Sequence, residues 1–248
     1  RSQPAVYLMD ISRGVSVPLT KSLPQAEAYR LAALSPDASQ IAVTVAEQGD
    51  GDLYRLDMWS GMLNPLLLQP DYDDQAAWSP DSLWIAYSSL LAADWDIYKV
   101  EVATGVITRL TNFTSSASQP AWSPDGQRIV FVNGQSLAVM AADCPELEGR
   151  CGRDMRQITY SAGGDSFPTW SPDGTQMAFV SNRSGRAEVY VMDVECLDND
   201  AGCLQQNPRQ LTRGIGRLPT LSWSVEYGLL GFITDQNGRA GLYALQPD

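Results

Sequence analysis

Five short apolar runs recur along the chain, each of a kind that suits a buried strand: Ile41-Ala42-Val43, Ile85-Ala86-Tyr87, Ile129-Val130-Phe131, Met177-Ala178-Phe179 and Leu230-Gly231-Phe232. A turn rich in Gly, Asp or Asn follows each run, and then a strand alternates around a tyrosine. These second segments are Leu53-Tyr54-Arg55-Leu56-Asp57, Ile97-Tyr98-Lys99-Val100-Glu101, Val189-Tyr190-Val191-Met192-Asp193 and Gly241-Leu242-Tyr243-Ala244-Leu245. In the third unit, Leu137-Ala138-Val139-Met140 carries alanine in the tyrosine position. Units close in a short strand that ends in Leu110-Thr111, Ile158-Thr159 or Leu211-Thr212. Ahead of the apolar runs stand Leu34-Ser35-Pro36-Asp37, Trp78-Ser79-Pro80-Asp81, Trp122-Ser123-Pro124-Asp125 and Trp170-Ser171-Pro172-Asp173, with Trp223-Ser224-Val225-Glu226 as a decayed fifth copy. Their serines are 44, 44, 48 and 53 residues apart. Four short strands per unit at a period in the forties predict the antiparallel blades of an all-β, β-propeller fold.

The Ser-Pro-Asp-Gly segment explains itself as a hairpin connector. Proline fixes φ at the second turn position, aspartate suits the third, and glycine at the fourth completes a type I turn. Asp37, Asp81, Asp125 and Asp173 are therefore expected to form turns, although as a set they resemble catalytic carboxylates. Trp78, Trp122, Trp170 and Trp223 directly precede the turn, where large rings are expected to pack between neighbouring blades.

The repeat units fall at about 28–68, 72–111, 117–159, 165–212 and 218–246, within one domain covering 1–248. Ala5-Val6-Tyr7-Leu8-Met9-Asp10 and Val17-Pro18-Leu19-Thr20 match the third and fourth strands of a unit, whereas the C-terminal unit stops after its third strand. Five blades of four strands are the preferred arrangement, closed by the N-terminal strand near Val17 to Thr20 so that no sheet edge is left open. Six blades are the alternative, and the strand near Tyr7 is surplus to five.

Composition narrows the chemistry. With 17 basic and 29 acidic residues the net charge is −12, which opposes the counterion release that drives nucleic-acid binding. Nucleic acid and anionic membranes are not expected partners. No stretch reaches the 18 or so apolar residues of a membrane helix, and the chain starts at Arg1 without a basic-then-apolar leader, as a soluble, processed chain would. There are no histidines, so Ser-His-Asp and Cys-His nucleophiles, imidazole bases and histidine metal sites are excluded. No G-x-S-x-G elbow occurs, and no cofactor or metal is expected; the acidic loops lack the spacing of a calcium-binding EF-hand.

Cys144/Cys151 and Cys196/Cys203 form two C-x6-C pairs at equivalent places between third and fourth strands, in the two units whose spacing exceeds 44. Two inserted loops, each cross-linked locally, are the expected outcome, and they place the chain in an oxidising compartment. Neither pair has the short spacing usual for zinc.

Together W-S-P-D-G, I-A-F, I-Y-V-M-D and R-L-T resemble the repeats of the TolB family, which also occur in propellers of prolyl-oligopeptidase-like peptidases and bacterial surface proteins. The resemblance covers nearly the whole chain. It implies a propeller, usually of six blades, from which the five repeats here depart, and a bound partner that is typically another protein; with the oxidising compartment the cysteines indicate, the expected setting is extracytoplasmic: periplasm, cell surface or secreted. The expected function is thus a non-enzymatic protein-binding or assembly module, with a protein partner or self-assembly. The alternative is the propeller of a larger hydrolase or lyase whose catalytic part is absent.

Alternating strand direction sends the Ser-Pro-Asp turns and cysteine loops to one face and the remaining loops to the other. On that second face the first two units contribute Glu47, Asp50, Asp52, Asp71, Asp73, Asp74, Asp94 and Asp96, with Tyr72 and Trp95 among them. The fourth and fifth contribute Arg183, Arg186, Arg213, Arg217 and Arg239, diluted by Asp165, Glu188 and Asp235. Tyr72, Asp73, Asp94, Trp95, Asp96, Arg183, Arg186, Arg213 and Arg217 are the candidate binding residues. Trp95, an aromatic between two aspartates, is the candidate anchor.

Overall fold

The computed structural model describes residues 6–10, 13–19, 28–47, 50–67, 72–91, 94–143, 152, 154–198, 203–205, 207–216, 220–225, 227–235 and 241–247. The chain is an all-β, five-bladed β-propeller with mostly four-stranded antiparallel blades. Its residues gather into two compact units, Arg1–Asn112 and Phe113–Asp248.

In the first unit, β1 (Tyr7–Asp10) and β2 (Val15–Pro18) form a two-stranded sheet. Blade 1 comprises β3 (Ala28–Leu34), β4 (Gln40–Glu47), β5 (Asp50–Asp57) and β6 (Leu63–Pro65). Blade 2 comprises β7 (Tyr72–Trp78), β8 (Trp84–Leu91), β9 (Asp94–Glu101) and β10 (Ile107–Arg109). The second unit holds blade 3, with β11 (Ala117–Trp122), β12 (Arg128–Asn133), β13 (Ser136–Ala141) and β14 (Arg156–Gln157). Blade 4 follows with β15 (Asp165–Trp170), β16 (Gln176–Ser181), β17 (Glu188–Asp193) and β18 (Arg209–Gln210). Blade 5 has three strands, β19 (Leu221–Trp223), β20 (Leu230–Thr234) and β21 (Gly241–Leu245).

Period-two alternation decides which neighbour each side chain meets. On β16, Met177 and Phe179 enter a cluster with Val130, Leu137 and Ile158 of blade 3. Ala178 and Val180 of the same strand point the other way, to Leu221, Leu230 and Phe232 of blade 5. In the first unit, Ala42 and Leu53 meet Ile85 and Tyr98 of blade 2, while Ile41, Val43 and Val45 meet Val6. A blade buried on both faces needs apolar residues at consecutive positions, hence the uninterrupted runs. The expected tryptophan packing is present at Trp78 and Trp170. Each sits in the cluster between two blades and donates its indole N–H to the preceding blade, to Ala33 O at 2.9 Å and Ala121 O at 3.2 Å. Trp223 differs: its indole bonds Gly228 O in its own turn, at 3.1 Å.

Aromatic rings pair across the second and third strands of three blades. Tyr87 stacks on Tyr98 at 5.8 Å, Phe179 on Tyr190 at 6.1 Å and Phe232 on Tyr243 at 5.9 Å, each pair directly opposite in register. In blade 3, Ala138 lies opposite Phe131 and leaves its ring uncovered from that side. Phe113 takes the vacant place and stacks on Phe131 at 6.4 Å.

All four complete turns use their aspartate internally. In blade 4 the Ser171 hydroxyl donates to Asp173 Oδ1 at 2.6 Å, which also accepts the Thr175 N–H at 3.0 Å; Ser171 Oγ accepts the Gln176 N–H at 2.9 Å. Asp37, Asp81 and Asp125 repeat the pattern with Ser35, Ser79 and Ser123. These aspartates form turns, as their spacing predicts. The serine hydroxyl, more than any other contact, holds the Asp37, Asp125 and Asp173 carboxyls below the ordinary aspartate range. The fourth turn position is left-handed throughout, with φ of 71° at both Gly126 and Gly174 but also 57° at Ala38 and 62° at Ser82.

Cys196 and Cys203 are disulfide-bonded, as the spacing predicts, within a loop containing two 3-10 turns. Arg156 of blade 3 donates to Leu197 O and Arg128 pairs with Asp198, so the cross-linked loop of blade 4 is tied to its neighbour. Cys144 and Cys151 lie outside the described residues. The closing role expected of the N-terminal strand is not among its described pairings: β2 pairs with β1, and blade 5 keeps three strands. Gly14, at φ 65°, turns the backbone between β1 and β2.

Two outcomes follow from the turns. Ala38→Gly removes the left-handed strain on a β-carbon and should raise stability by about 1 kcal/mol, read as a higher urea midpoint. Because the Asp125 and Asp173 carboxyls titrate below their unfolded range, their stabilisation is complete above about pH 4 and is lost as pH falls through their folded values. The double variant Asp125→Asn with Asp173→Asn should therefore show a shallower loss of thermal stability on acidification than the parent; an equal slope would contradict it.

Candidate interaction face

The loop ends of blade 2 bring the sequence-predicted residues of the first unit together in two rows. Tyr72 on β7 faces Leu90 on β8, which faces Trp95 on β9. The outer two rings meet edge to face at 5.9 Å across the leucine, which is their common neighbour. Arg30, from β3 of blade 1, stands over the Tyr72 ring at 5.9 Å. Both rings are half-buried, whereas Arg30 and Asp94 are exposed. A β-carbon on Gly51 would come within 2.9 Å of the Tyr72 ring, so the end of β5 presses against this aromatic shelf. Burial pushes the Tyr72 phenol up, Asp74 adds to that and Arg30 opposes it.

The second row is not a solvated acidic patch. Asp73, Ser89 and Asp96 lie opposite one another and are 2%, 5% and 1% exposed. Arg109 holds Asp96 Oδ2 at 2.5 Å, and the Thr111 hydroxyl donates to Oδ1 at 2.8 Å while accepting the Ile97 N–H at 2.8 Å. Asp74, also buried, accepts from Thr44 Oγ1 at 3.1 Å and from the Gln75 N–H at 2.8 Å. Asp73, Asp74 and Asp96, expected on the loop face, are instead buried, and Asp74 and Asp96 are bonded within the sheet, as a carboxylate in a low-dielectric interior must be.

The same latch recurs in the second unit. Thr212 Oγ1 donates to Glu188 Oε2 at 2.8 Å and accepts the Val189 N–H at 2.9 Å; Gly214 N–H meets Oε1 at 2.5 Å. In blade 3, Ser136 stands where the acid would be, and Thr159 finds Asp165 at 2.6 Å instead while accepting the Leu137 N–H at 2.9 Å. This threonine-carboxylate latch was missed at the sequence level. Its signal was present, as an acid directly before the Ile97-Tyr98 and Val189-Tyr190 segments together with the terminal Leu-Thr.

Of the predicted arginines, Arg183 is engaged. It stacks over Phe179 and Tyr190 at 5.3 and 5.0 Å and bonds Asp165 at 3.3 Å. Arg186 and Arg213 are exposed. A cleft of about 420 Å³ lies between Arg186, Glu188, Gly214, Gly216 and Asp235. Arg217 and Arg239, like Asp71, lie outside the described residues, as do the side chains of Glu47 and Asp50. Among the described residues no group of three or more Cys, Asp or Glu is placed to hold a metal ion.

Another layer of order lies in the first strand of blades 1 to 4. A β-bulge interrupts β3, β7, β11 and β15, and it puts Gln75, Gln119 and Phe167 in the left-handed region, at φ of 59°, 56° and 50°. Gln119 Oε1 accepts the Phe167 N–H at 2.5 Å, joining the bulges of blades 3 and 4.

These geometries define a protein of the β-propeller class with its loop-end polar groups largely committed to the fold. Residues 1–150 match the family model described as the TolB beta propeller domain, and the chain belongs to that family. It is similar to TolB from Acinetobacter baumannii, with a TM-score of 0.78 at 18% identity over 98% of this chain and 57% of that one. A putative TolB from Agrobacterium tumefaciens gives 0.69 at 26% identity, over 86% and 75%. An oligogalacturonate lyase from Vibrio parahaemolyticus gives 0.61 at 14%, over 97% and 82%. The chain thus spans little more than half the length of the Acinetobacter protein. No curated protein matches it by sequence.

Thr111→Val, which deprives both Asp96 and the Ile97 N–H of a buried partner, should cost about 1–3 kcal/mol. The exposed control Thr114→Val should stay within about 0.5 kcal/mol of the parent in the same denaturation series.

Proposed function

We propose that the chain is a non-enzymatic protein-binding module of an extracytoplasmic assembly, and that it grips its partner through the Tyr72–Trp95 shelf. The observation that carries this reading is the shelf itself. Two half-buried rings are fixed by three strands and flanked by an exposed cation, Arg30, and an exposed anion, Asp94. Rigid aromatics of this kind give large contact area at small entropic cost and act as anchors when the rim can supply oriented charge.

Two features weigh against catalysis as the task of this region. Asp96 has both oxygens engaged by Arg109 and Thr111, so it is poorly placed to accept a substrate proton. The chain also has no histidine. The Cys196–Cys203 cross-link supports an oxidising compartment. The TolB likeness supports a periplasmic, cell-surface or secreted setting with a protein partner.

Trp95→Ala combined with Tyr72→Ala should lower capture of the partner from an extracytoplasmic extract at least about tenfold, quantified by mass spectrometry after cross-linking, with the circular dichroism spectrum unchanged. Trp59→Ala, at a tryptophan that is 89% exposed in the same unit, should leave capture unchanged. Equal capture by all three proteins would remove the shelf from the binding surface.

A further inference from the structure

Four turns of the first unit emerge together, at the ends of the strands away from the Tyr72–Trp95 shelf. They are the Ser-Pro-Asp turns of blades 1 and 2 and the turns 57–62 and 101–106 between third and fourth strands. Hydrogen bonds lock them to one another. The Met58 N–H donates to Ser39 O at 2.9 Å within blade 1, and the Val102 N–H to Leu83 O at 2.9 Å within blade 2. Between the blades, the Asp37 N–H donates to Ser82 Oγ at 3.3 Å and Arg55 to Val102 O at 3.4 Å. The result is one rigid surface across two blades.

Five large apolar side chains stand exposed on it, Leu34, Trp59, Met62, Leu83 and Val106, from 49% for Val106 to 89% for Trp59. The turns have no need of them. Residues 57–62 and 101–106 form the same turn: Gly61 donates to Asp57 O and Gly105 to Glu101 O, and both glycines are left-handed, at φ of 67° and 73°. The Ser60 and Thr104 hydroxyls each donate to the acid that opens their turn. Yet Ala103 stands in blade 2 where blade 1 has Trp59. Leu83 likewise stands where blades 1, 3 and 4 have Ser39, Gln127 and Thr175. Exposed tryptophan and methionine on a rigid surface, in places the fold leaves to other residues, mark a contact.

Charge selects the occupant. The four turns carry Asp37, Asp57, Asp81 and Glu101 and no basic residue. The Ser35 hydroxyl holds the Asp37 carboxyl below the ordinary range, and the Ser60 N–H does the same for Asp57, so both are ionised at neutral pH. We infer that this face docks a segment of another polypeptide that carries lysine or arginine among apolar residues, its apolar side chains meeting Trp59, Met62 and Leu83 and its cations the surrounding carboxylates. A cation can also lie over the exposed Trp59 ring. The same carboxylates repel an acidic segment and orient a basic one. This surface is separate from the shelf, and the inference does not rest on the shelf's role.

A short, fluorescently labelled peptide of alternating lysine and leucine tests it, titrated onto the full chain at physiological ionic strength and read by anisotropy. The parent should bind it at least about tenfold more tightly than Trp59→Ala combined with Leu83→Ser. Both substitutions install residues that the same turn positions already hold in a neighbouring blade, so the variant should keep the parent's circular dichroism spectrum. A lysine-serine peptide should bind at least about tenfold more weakly, and a glutamate-leucine peptide should not bind. Trp95→Ala combined with Tyr72→Ala should leave the affinity unchanged. Equal binding by the parent and the Trp59, Leu83 variant overturns the inference, since the peptide would then be following net charge alone. So does a dimer of the parent, seen by light scattering, that the same variant dissociates, because the occupant would then be a second copy.

Discussion

Burial of apolar sheet faces between successive blades is the interaction on which the rest of the molecule depends. A single four-stranded sheet of this size cannot shield both of its faces, and stacking is what converts a weak repeat into a stable array. The two-residue period does the sorting: Met177 and Phe179 face one neighbour while Ala178 and Val180 face the other. The size difference is consistent along the strand, with large residues on one side and smaller ones on the other. Phe113 shows how tightly this is held. Where Ala138 leaves a ring uncovered, a loop aromatic moves in to stack on it.

Such stacking exacts a polar cost at the strand ends, and the chain meets it with two recurring devices. At one end the Ser-Pro-Asp turn folds its own hydroxyl and carboxylate back onto backbone N–H groups. At the other, threonine and a carboxylate close the last strand onto the third. Both devices place acidic residues where they look functional in a list and are structural in space. Of the acidic loop charge read from the first two units, Asp96 is spent in this way and Asp74 is bonded by Thr44 and Gln75, and Arg183 is spent likewise on Asp165 and two rings. Beside these committed groups, Tyr72 and Trp95 form an aromatic shelf with Arg30 and Asp94 exposed next to it.

The unequal ends of the array carry a second consequence. Blades 1 to 4 have four strands, blade 5 has three, and β1–β2 supplies two. Tyr7 and Leu8 of β1 and Val15 and Val17 of β2 are exposed.

The repeat period, the blade count, the turn role of the aspartates, the packing of Trp78 and Trp170 and the Cys196–Cys203 cross-link were legible in the residues, because each follows from a local rule of spacing or backbone geometry. The candidate site was only half legible. Tyr72 and Trp95 were marked by composition, but their edge-to-face contact across Leu90 depends on register between three strands. Asp73 and Asp96 read as loop charge because the Arg109 and Thr111 that enclose Asp96 lie more than ten residues away. Pairing of β1 with β2 was legible too, since the two segments match the third and fourth strands of a unit. The sequence by itself settled what each segment is, since turns and strands are chosen by neighbours in the chain. Tertiary structure alone settled which polar groups remain available, since burial is a property of what packs against them.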